Sequence, residues 1–114
     1  PEMTESPDGN KFWYLDDKRH RVDGPAIEYA NGDKIWYLHG KFHRTDGPAI
    51  EWIDGDNEWY LDGKRHREDG PAVTFGNVYK RWWLNSKPLS FDEWLDQNQT
   101  LTDEDKVMFK LQYG

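Results

Sequence analysis

The sequence predicts a mainly β protein: an antiparallel meander of 23-residue β-hairpin repeats in a single-layer sheet, capped by two short C-terminal α-helices. The motif WYL begins at residues 13, 36 and 59, with WWL at 82, and DGPA begins at 23, 46 and 69. Such a fixed period indicates stacked repeats. Residues 88–114 leave the period. We therefore expect one domain, with an N-terminal segment at 1–11, repeats at 12–87 and a helical cap at 88–114.

Each repeat contains two short segments with strand character, such as PAIEY at 25–29 and KIWYL at 34–38. Between such segments, NG at 31–32 and DG at 54–55 predict two-residue hairpin turns in which both central residues have positive φ. HG at 39–40 and DG at 62–63 mark the alternate turns. The third unit has Gly76 and Val78 near its turn, so that turn should differ.

The predicted turns set which face of the sheet is buried. A two-residue loop at Asn31–Gly32 pairs Ile27 with Trp36, and a one-residue slip would exchange the two faces. We expect the stripe of Trp, Leu and Ile to be buried and the series Tyr14, Tyr37, Tyr60 and Trp83 to lie on the opposite, partly exposed face. The expected buried stripe comprises Ile27, Tyr29, Trp36 and Leu38, and then Ile50, Trp52, Trp59 and Leu61.

Two helices are predicted after the repeats. Ser90 and Glu93 form a capping box, with Leu89 and Trp94 as its hydrophobic staple, which predicts a helix over 91–98. Thr102 with Asp105 predicts a second helix over 103–112. The apolar residues expected to cover the end of the sheet are Trp94, Leu95, Val107, Met108 and Leu111.

The stretch HRVDGP at 20–25 brings together groups that could form a catalytic or metal site. It recurs in three units, and a residue that recurs in every unit serves the repeat. We expect Asp23 to bond its own backbone two residues on, Gly24 to supply an unusual φ, and His20 and Arg21 to brace the bend or the neighbouring unit. Equivalent histidines two strands apart lie roughly 10 Å apart, too far to share a zinc ion. We therefore expect no metal site and no cofactor.

Composition narrows the function classes. The 114 residues carry 15 basic and 22 acidic side chains, a net charge of −7 that disfavours direct binding to nucleic acid or to an anionic membrane. No apolar run has the length of a membrane span. The chain has no cysteine, which fits a reducing compartment such as the cytoplasm. Seven Trp among only 35% apolar residues indicate a core built from a few large rings.

The segment WYLDGKRHREDGPA at 59–72 resembles the MORN repeat, and more closely a divergent MORN-like array found in large tailed bacteriophages. The ending WWLNSKPLSFDEW at 82–94 resembles the end of those arrays, so the resemblance covers about residues 8–96. It implies a binding or scaffolding role without a common active site and, for a viral protein, a location in the cytoplasm of the host cell. Arg21, Arg44 and Arg67 stand where MORN repeats have Gly, which weakens the link to the lipid-associated roles of MORN proteins.

Three functions compete, and an enzyme is the least expected class. The first is a non-enzymatic viral accessory module that binds and inhibits or redirects a host protein, for example in anti-defence, or binds a phage protein. Its candidate contacts are Tyr14, Tyr37, Tyr60 and Trp83, because Tyr and Trp anchor interfaces. The helices or a homodimer could instead cover these rings.

The second function is a sponge for a small ligand such as a nucleotide signal, in which Arg21, Arg44 and Arg67 pair with phosphates beside the rings. That idea loses support if these arginines are tied to the Asp turns. The third is an acidic mimic of nucleic acid. Its candidate surface is Asp92, Glu93, Asp96, Asp103, Glu104 and Asp105, most of which would otherwise complement helix dipoles.

Overall fold

The computed structural model describes residues 1–114. It contains fourteen short strands followed by two helices. The strands are β1 (Glu2–Glu5), β2 (Lys11–Leu15), β3 (Lys18–Arg19), β4 (Ile27–Glu28), β5 (Lys34–Ile35), β6 (Tyr37–Leu38), β7 (Lys41–Phe42), β8 (Ile50–Glu51), β9 (Asn57–Glu58), β10 (Tyr60–Leu61), β11 (Lys64–Arg65), β12 (Val73–Phe75), β13 (Tyr79–Leu84) and β14 (Lys87–Leu89). The helices are α1 (Phe91–Gln97) and α2 (Asp103–Tyr113).

The strands form an antiparallel sheet that follows chain order, β1-β2-β4-β5-β8-β9-β12-β13-β14, with β3 paired to β2. Two further hairpins, β6–β7 and β10–β11, are separate two-stranded sheets. The principal extents are 49 × 27 × 20 Å, an elongated shape that stacked units produce. The predicted fold class is confirmed: the protein is mainly β, antiparallel and hairpin-rich, with two short C-terminal helices.

The turns between β4 and β5 and between β8 and β9 differ from the prediction. Between β4 and β5 the Tyr29 N–H donates to the Asp33 carbonyl at 2.9 Å, so the loop has three residues, 30–32. Gly32 has φ +104°, but Asn31 is not in the left-handed region. The Asn31 side chain instead accepts from the Asp33 N–H at 3.0 Å, an Asx turn. The predicted two-residue turn is therefore wrong at 31–32, and the turn at 54–55 repeats the observed pattern.

The alternate turns are the two-residue hairpins in which both residues have positive φ. His39 and Gly40 have φ +49° and +79°, and Asp62 with Gly63 repeats these values closely. Leu38 and Lys41 face each other across the first of these turns. The third-unit turn differs, as the sequence predicts, because Gly76 and Asn77 both have positive φ there.

The longer loop changes the register and therefore the buried face. Ile27 pairs with Ile35, not with Trp36, so the expected assignment of faces is wrong. The buried cluster consists of Ile27, Ile35 and Ile50. Half-buried rings of both expected faces pack against it, Tyr37 and Tyr60 from the tyrosine series and Trp52 from the expected stripe, whereas Trp36 and Trp59 are half-buried and lie outside this cluster. The half-buried side chains around the cluster are Phe12, Tyr37, Phe42, Trp52 and Tyr60.

Both predicted helices are present, and each begins with a capping box. Ser90 and Glu93 bond reciprocally at the start of α1, and Thr102 and Asp105 do so at the start of α2. Leu89 and Trp94 meet in one buried cluster, as a hydrophobic staple requires. The helices thus cover the last unit, whose buried residues are Trp82, Leu89, Trp94 and Leu95.

The second helix packs through a different face from the expected one. Phe109 and Tyr113 contact the buried cluster, with Phe109 5.2 Å from the Trp94 ring. Val107, Met108 and Leu111 are 57%, 66% and 79% exposed, so the prediction that they cover the sheet is wrong. These three residues are apolar and lie at helical spacing, but the sequence alone does not show which stripe of α2 faces the sheet.

Candidate interaction surfaces

A guanidinium is stacked on a tryptophan in each of the first three units. Arg44 lies 3.8 Å from the centroid of Trp36. Its Nε donates to Asp46 at 2.9 Å, and its Nη1 donates to the Pro48 carbonyl at 3.1 Å and to Glu51 at 2.7 Å. A side chain held by this many contacts is positioned by its own unit. The equivalent stacks are Arg21 on Trp13 and Arg67 on Trp59.

The glycine of each DGP step makes room for that guanidinium. A Cβ added at Gly47 would lie 2.7 Å from Cζ of Arg44. Gly47 has no positive φ, so the expectation that this Gly supplies an unusual backbone angle is wrong. The expected Asp bond to the backbone two residues on is also wrong, because that residue is a proline without an N–H. Asp46 instead accepts from Arg44, and in the first unit the equivalent bond from Arg21 holds the pKa of Asp23 below its usual value.

The histidine of each unit braces the next turn. His20 Nδ1 accepts from the His39 N–H at 2.9 Å, and His43 accepts from the Asp62 N–H at 3.0 Å. His66 makes the same bond to the Asn85 N–H. Burial, followed by the proximity of His39, lowers the pKa of His20. No group of three or more His, Cys, Asp or Glu side chains is placed to hold a metal ion.

The four candidate rings do lie in one continuous row, which we call the aromatic row. In the first three units, each short hairpin contributes one member from each of its two strands. The ring centroid of Phe42 lies 4.8 Å from that of Tyr37 in its own hairpin and 4.9 Å from that of Tyr60 in the next. Every ring in the row is half-buried, and burial raises the pKa of Tyr37 and of Tyr60. In spatial order the aromatic row comprises Tyr14, Arg19, Tyr37, Phe42, Tyr60, Arg65 and Trp83.

Sequence reasoning missed three members of the aromatic row. Arg19, Phe42 and Arg65 occupy one repeat position, between the Lys and the His of the KxH motif. Each faces a ring of the row across a two-residue turn, as Tyr37 faces Phe42. Their fixed spacing could have identified this repeat position, but the position holds an arginine in two units and a phenylalanine in the third, so the residue types gave no common pattern. Both can stack flat on a ring.

A buried carboxylate lies beside the aromatic row. Glu58 occupies the position that Ile35 has in the second unit, and only 10% of its side chain is exposed. Arg65 donates to it at 2.8 Å, and the Tyr60 hydroxyl donates at 3.3 Å. The pair anchors Arg65 in the row, because a buried carboxylate needs a charged partner. The Arg65 Nε is buried and has no hydrogen-bond partner.

Two grooves open between successive DGP loops. The groove over Trp36 has a volume of about 640 Å³ and runs between the loops at Val22 and Thr45. The groove over Trp59 has a volume of about 470 Å³ and runs between the loop at Thr45 and that at Glu68. Residues of the helical cap, Leu101 and Phe109 among them, border the second groove.

The candidate acidic surface belongs largely to the helix starts. Asp92, Glu93, Asp103, Glu104 and Asp105 lie in first turns, where carboxylates complement the helix dipole. Glu93 accepts from the Ser90 N–H at 2.9 Å, and this bond lowers its pKa. Asp96, the sixth residue, is exposed in the last turn of α1.

Comparison with known proteins finds no matching family model, no matching curated protein and no matching solved structure. The likeness to the MORN-like repeat therefore stays a resemblance carried by the motif itself. Neither helix is long and apolar enough to span a membrane.

Proposed function

We propose that the chain is a non-enzymatic protein-interaction module and that the aromatic row is its binding surface. One observation carries the proposal: five half-buried rings and two arginines lie side by side across all four units. Tyr, Trp and Arg are the residues that most often dominate binding at protein interfaces. Because these rings already stack on one another, little side-chain entropy remains to be lost on binding.

The resemblance to arrays of tailed bacteriophages favours a host protein as the partner, with a phage protein as the alternative. The proposed activity is to inhibit or redirect that protein by occupying its surface. The geometry of the His-Arg-x-Asp-Gly-Pro motif supports a non-enzymatic role, since His43, Arg44 and Asp46 all bond within the repeat scaffold. A general acid or base would instead have to face a substrate.

The two other candidate functions gain no specific support. The nucleotide sponge needs free guanidinium groups, but Arg21, Arg44 and Arg67 are tied to the aspartates of their own turns at 2.7–2.9 Å. Acidic mimicry needs carboxylates arranged for a partner. Five of the six candidate carboxylates instead lie in first helical turns.

Two neighbouring residues of β3 provide a matched test. Arg19 belongs to the aromatic row, within 6.0 Å of the Tyr37 ring, whereas Lys18 lies along Gly40 of the next turn. Arg19→Gln and Lys18→Gln each remove one positive charge from an exposed position. We expect native mass spectrometry after incubation with host lysate to show a protein-sized mass increment on the wild type and on Lys18→Gln, and a loss of that increment on Arg19→Gln. An increment of a few hundred daltons, or none, would contradict the proposal.

A further inference from the structure

The long loops between repeats form one edge of the sheet, and an aromatic residue begins three of them. Tyr29, Trp52 and Phe75 occupy the same repeat position, one period apart. A groove of about 440 Å³ opens between Tyr29 and Trp52, and one of about 370 Å³ opens between Trp52 and Phe75. Each groove therefore has an aromatic side chain from each of two successive units in its walls.

The helical cap leaves these grooves open. Its first helix is held on a DGP loop, where the Trp94 indole Nε1 donates to the Arg67 carbonyl at 2.9 Å. The Asn98 side chain donates to the Glu68 carbonyl of the same loop at 2.8 Å. No residue of the cap borders either groove between the long loops.

The same edge carries negative charge that nothing in the chain neutralises. The long-loop segments 6–10, 29–33, 52–56 and 75–79, which we call the acidic edge, contain four acidic and no basic side chains. None of the four carboxylates forms an ion pair within the chain. All four line the two grooves: Asp8, Asp33, Asp54 and Asp56.

The carboxylates are held in place beside the aromatic walls. Asp33 accepts from the Ile53 N–H and Asp56 from the Gly76 N–H, each at 2.7 Å, so each loop positions its carboxylate on the next loop. Aromatic walls with an adjacent carboxylate suit an alkylammonium group, whose stem packs on the rings while its charge meets the carboxylate.

The opposite edge of the sheet carries such groups at the same period. The short turns lie at the other ends of the strands, and each is followed by an exposed lysine. The short-turn segments 15–19, 38–42, 61–65 and 84–88, which we call the lysine edge, contain six basic and three acidic side chains. The lysines are one period apart: Lys18, Lys41, Lys64 and Lys87.

We propose that the acidic edge is a docking site for the lysine edge of a second copy of this chain. Both edges follow the same repeat, so their groups recur at the same spacing, roughly 10 Å for each unit of two strands. Lysines one unit apart therefore match grooves one unit apart, and successive contacts stay in register. An occupant with this spacing and the opposite charge is the chain itself.

The two edges differ, so the contact is heterologous. Each bound copy still presents one free acidic edge and one free lysine edge, and assembly continues into rows of chains. This inference goes beyond the proposed function, because neither the grooves nor the four lysines belong to the aromatic row. It stands even if the aromatic row binds nothing.

Sedimentation velocity of the purified chain tests the proposal. We expect species larger than the monomer to grow with protein concentration, up to about 1 mM, where even a weak interface is populated. Raising NaCl from about 10 mM to about 1 M shortens the screening length from about 30 Å to about 3 Å and should return the chain to monomer. A wild type that stays monomeric at low salt throughout this range would overturn the proposal.

A pair of charge-matched variants tests the lysine edge. Lys41→Gln with Lys64→Gln removes two exposed charges from that edge, and Lys106→Gln with Lys110→Gln removes two from α2. We expect the first variant to associate about 10-fold more weakly than the wild type, because each exposed ion pair contributes a factor of a few. The α2 variant should keep the wild-type association, and an equal loss in both would contradict the assignment.

The chain itself supplies conservative substitutions for the acidic edge. Asn10 takes the repeat position of Asp33 and Asp56 and makes the same bond to the next loop, and Asn31 takes that of Asp54. The triple variant with Asn at 33, 54 and 56 therefore keeps these bonds. It also lowers the net charge from −7 to −4, which reduces general repulsion. We nevertheless expect it to associate at least about 10-fold more weakly, since the ion pairs are lost.

Mixing the two edge variants identifies the geometry. The lysine-edge variant retains an intact acidic edge, and the acidic-edge variant retains intact lysines, so one interface of wild-type strength can form between them. We expect a 1:1 complex at low salt that grows no further, with every variant folded by circular dichroism. A mixture that associates no more strongly than its separate components would overturn the proposal.

Discussion

Replacing Gly47 with Ala tests whether the repeat is organised around its stacked arginine. The added Cβ would come within 2.7 Å of Cζ and 3.0 Å of Nε of Arg44, and the three nearest atoms all belong to that side chain. The backbone angle allows Ala, because Gly47 has no positive φ. The methyl group must therefore displace the guanidinium from Trp36 and from its hydrogen-bond partners.

The expected cost follows from the contacts that would be lost. Asp46 is 84% exposed, so its ion pair contributes no more than about 1 kcal/mol. The bonds to the Pro48 carbonyl and to Glu51 contribute about 1 kcal/mol each, and the stack on Trp36 about 0.5–1 kcal/mol. Ala also lowers the conformational entropy of the unfolded chain, which offsets about 0.4–1 kcal/mol of the lost stability. We expect a net loss of about 2 kcal/mol, or about 8 °C in Tm for a domain of this size.

A double-mutant cycle measured by urea and thermal unfolding checks the cause. In the Arg44→Ala background the methyl group meets no guanidinium, so Gly47→Ala should become neutral or slightly stabilising. Gly24→Ala provides a graded comparison, because its nearest approach, to Arg21, is 3.0 Å and its cost should be smaller. The reasoning is refuted if Gly47→Ala is as stable as the wild type, or if its cost persists unchanged when Arg44 is Ala.

Three further substitutions probe the scaffold. Burial, followed by the proximity of His39, lowers the pKa of His20 below its unfolded value of 6.5. The free energy of unfolding therefore decreases as the pH falls below about 6.5, because the imidazole of the unfolded chain takes up a proton first. His39→Asp places a carboxylate beside the ring, as in the next unit, and should reduce this acid loss in thermal melts between about pH 8 and pH 5. Trp94→Phe removes the indole donor from a buried site and should cost about 1–2 kcal/mol in urea unfolding, whereas a change below a few tenths would exclude that bond as an anchor. Glu58→Ile leaves Arg65 without its carboxylate and should lower stability by about 1–2 kcal/mol, and adding Arg65→Phe should restore it, because the second unit carries this Ile and Phe. A double variant no more stable than Glu58→Ile would argue against the pairing.

Features specified by local chemistry were predictable from the sequence. The 23-residue period, the capping box at Ser90 and the helix start at Thr102 depend on residues near one another in the chain, and the structure contains all of them. The sheet register was not predictable with the same rules. An Asn-Gly pair suits a two-residue turn, but Asn31 instead uses its side chain to bond the Asp33 N–H in a three-residue loop. That one extra residue exchanges the faces and buries Ile35 in place of Trp36.

The candidate surfaces depend on contacts between units, which the sequence shows less directly. Tyr14, Tyr37, Tyr60 and Trp83 could be grouped because they recur as aromatic residues. Their intervening partners could not be grouped by type, since one is a phenylalanine and two are arginines. The role of Gly47 was also hidden, because a glycine needed for close approach looks the same in sequence as one needed for a positive φ.

Photo-cross-linking from the aromatic row is the most direct test of the proposed binding function. A benzophenone amino acid replaces Phe42 within the row in one variant, and in the other it replaces Tyr79, which is 44% exposed in β13 outside the row. Each variant is irradiated in host lysate, and its adducts are resolved by mass spectrometry. We predict one dominant protein adduct at position 42 and none of that mass at position 79. Equal labelling at both positions, or an adduct at position 79 alone, would contradict the assignment of the aromatic row as the binding surface.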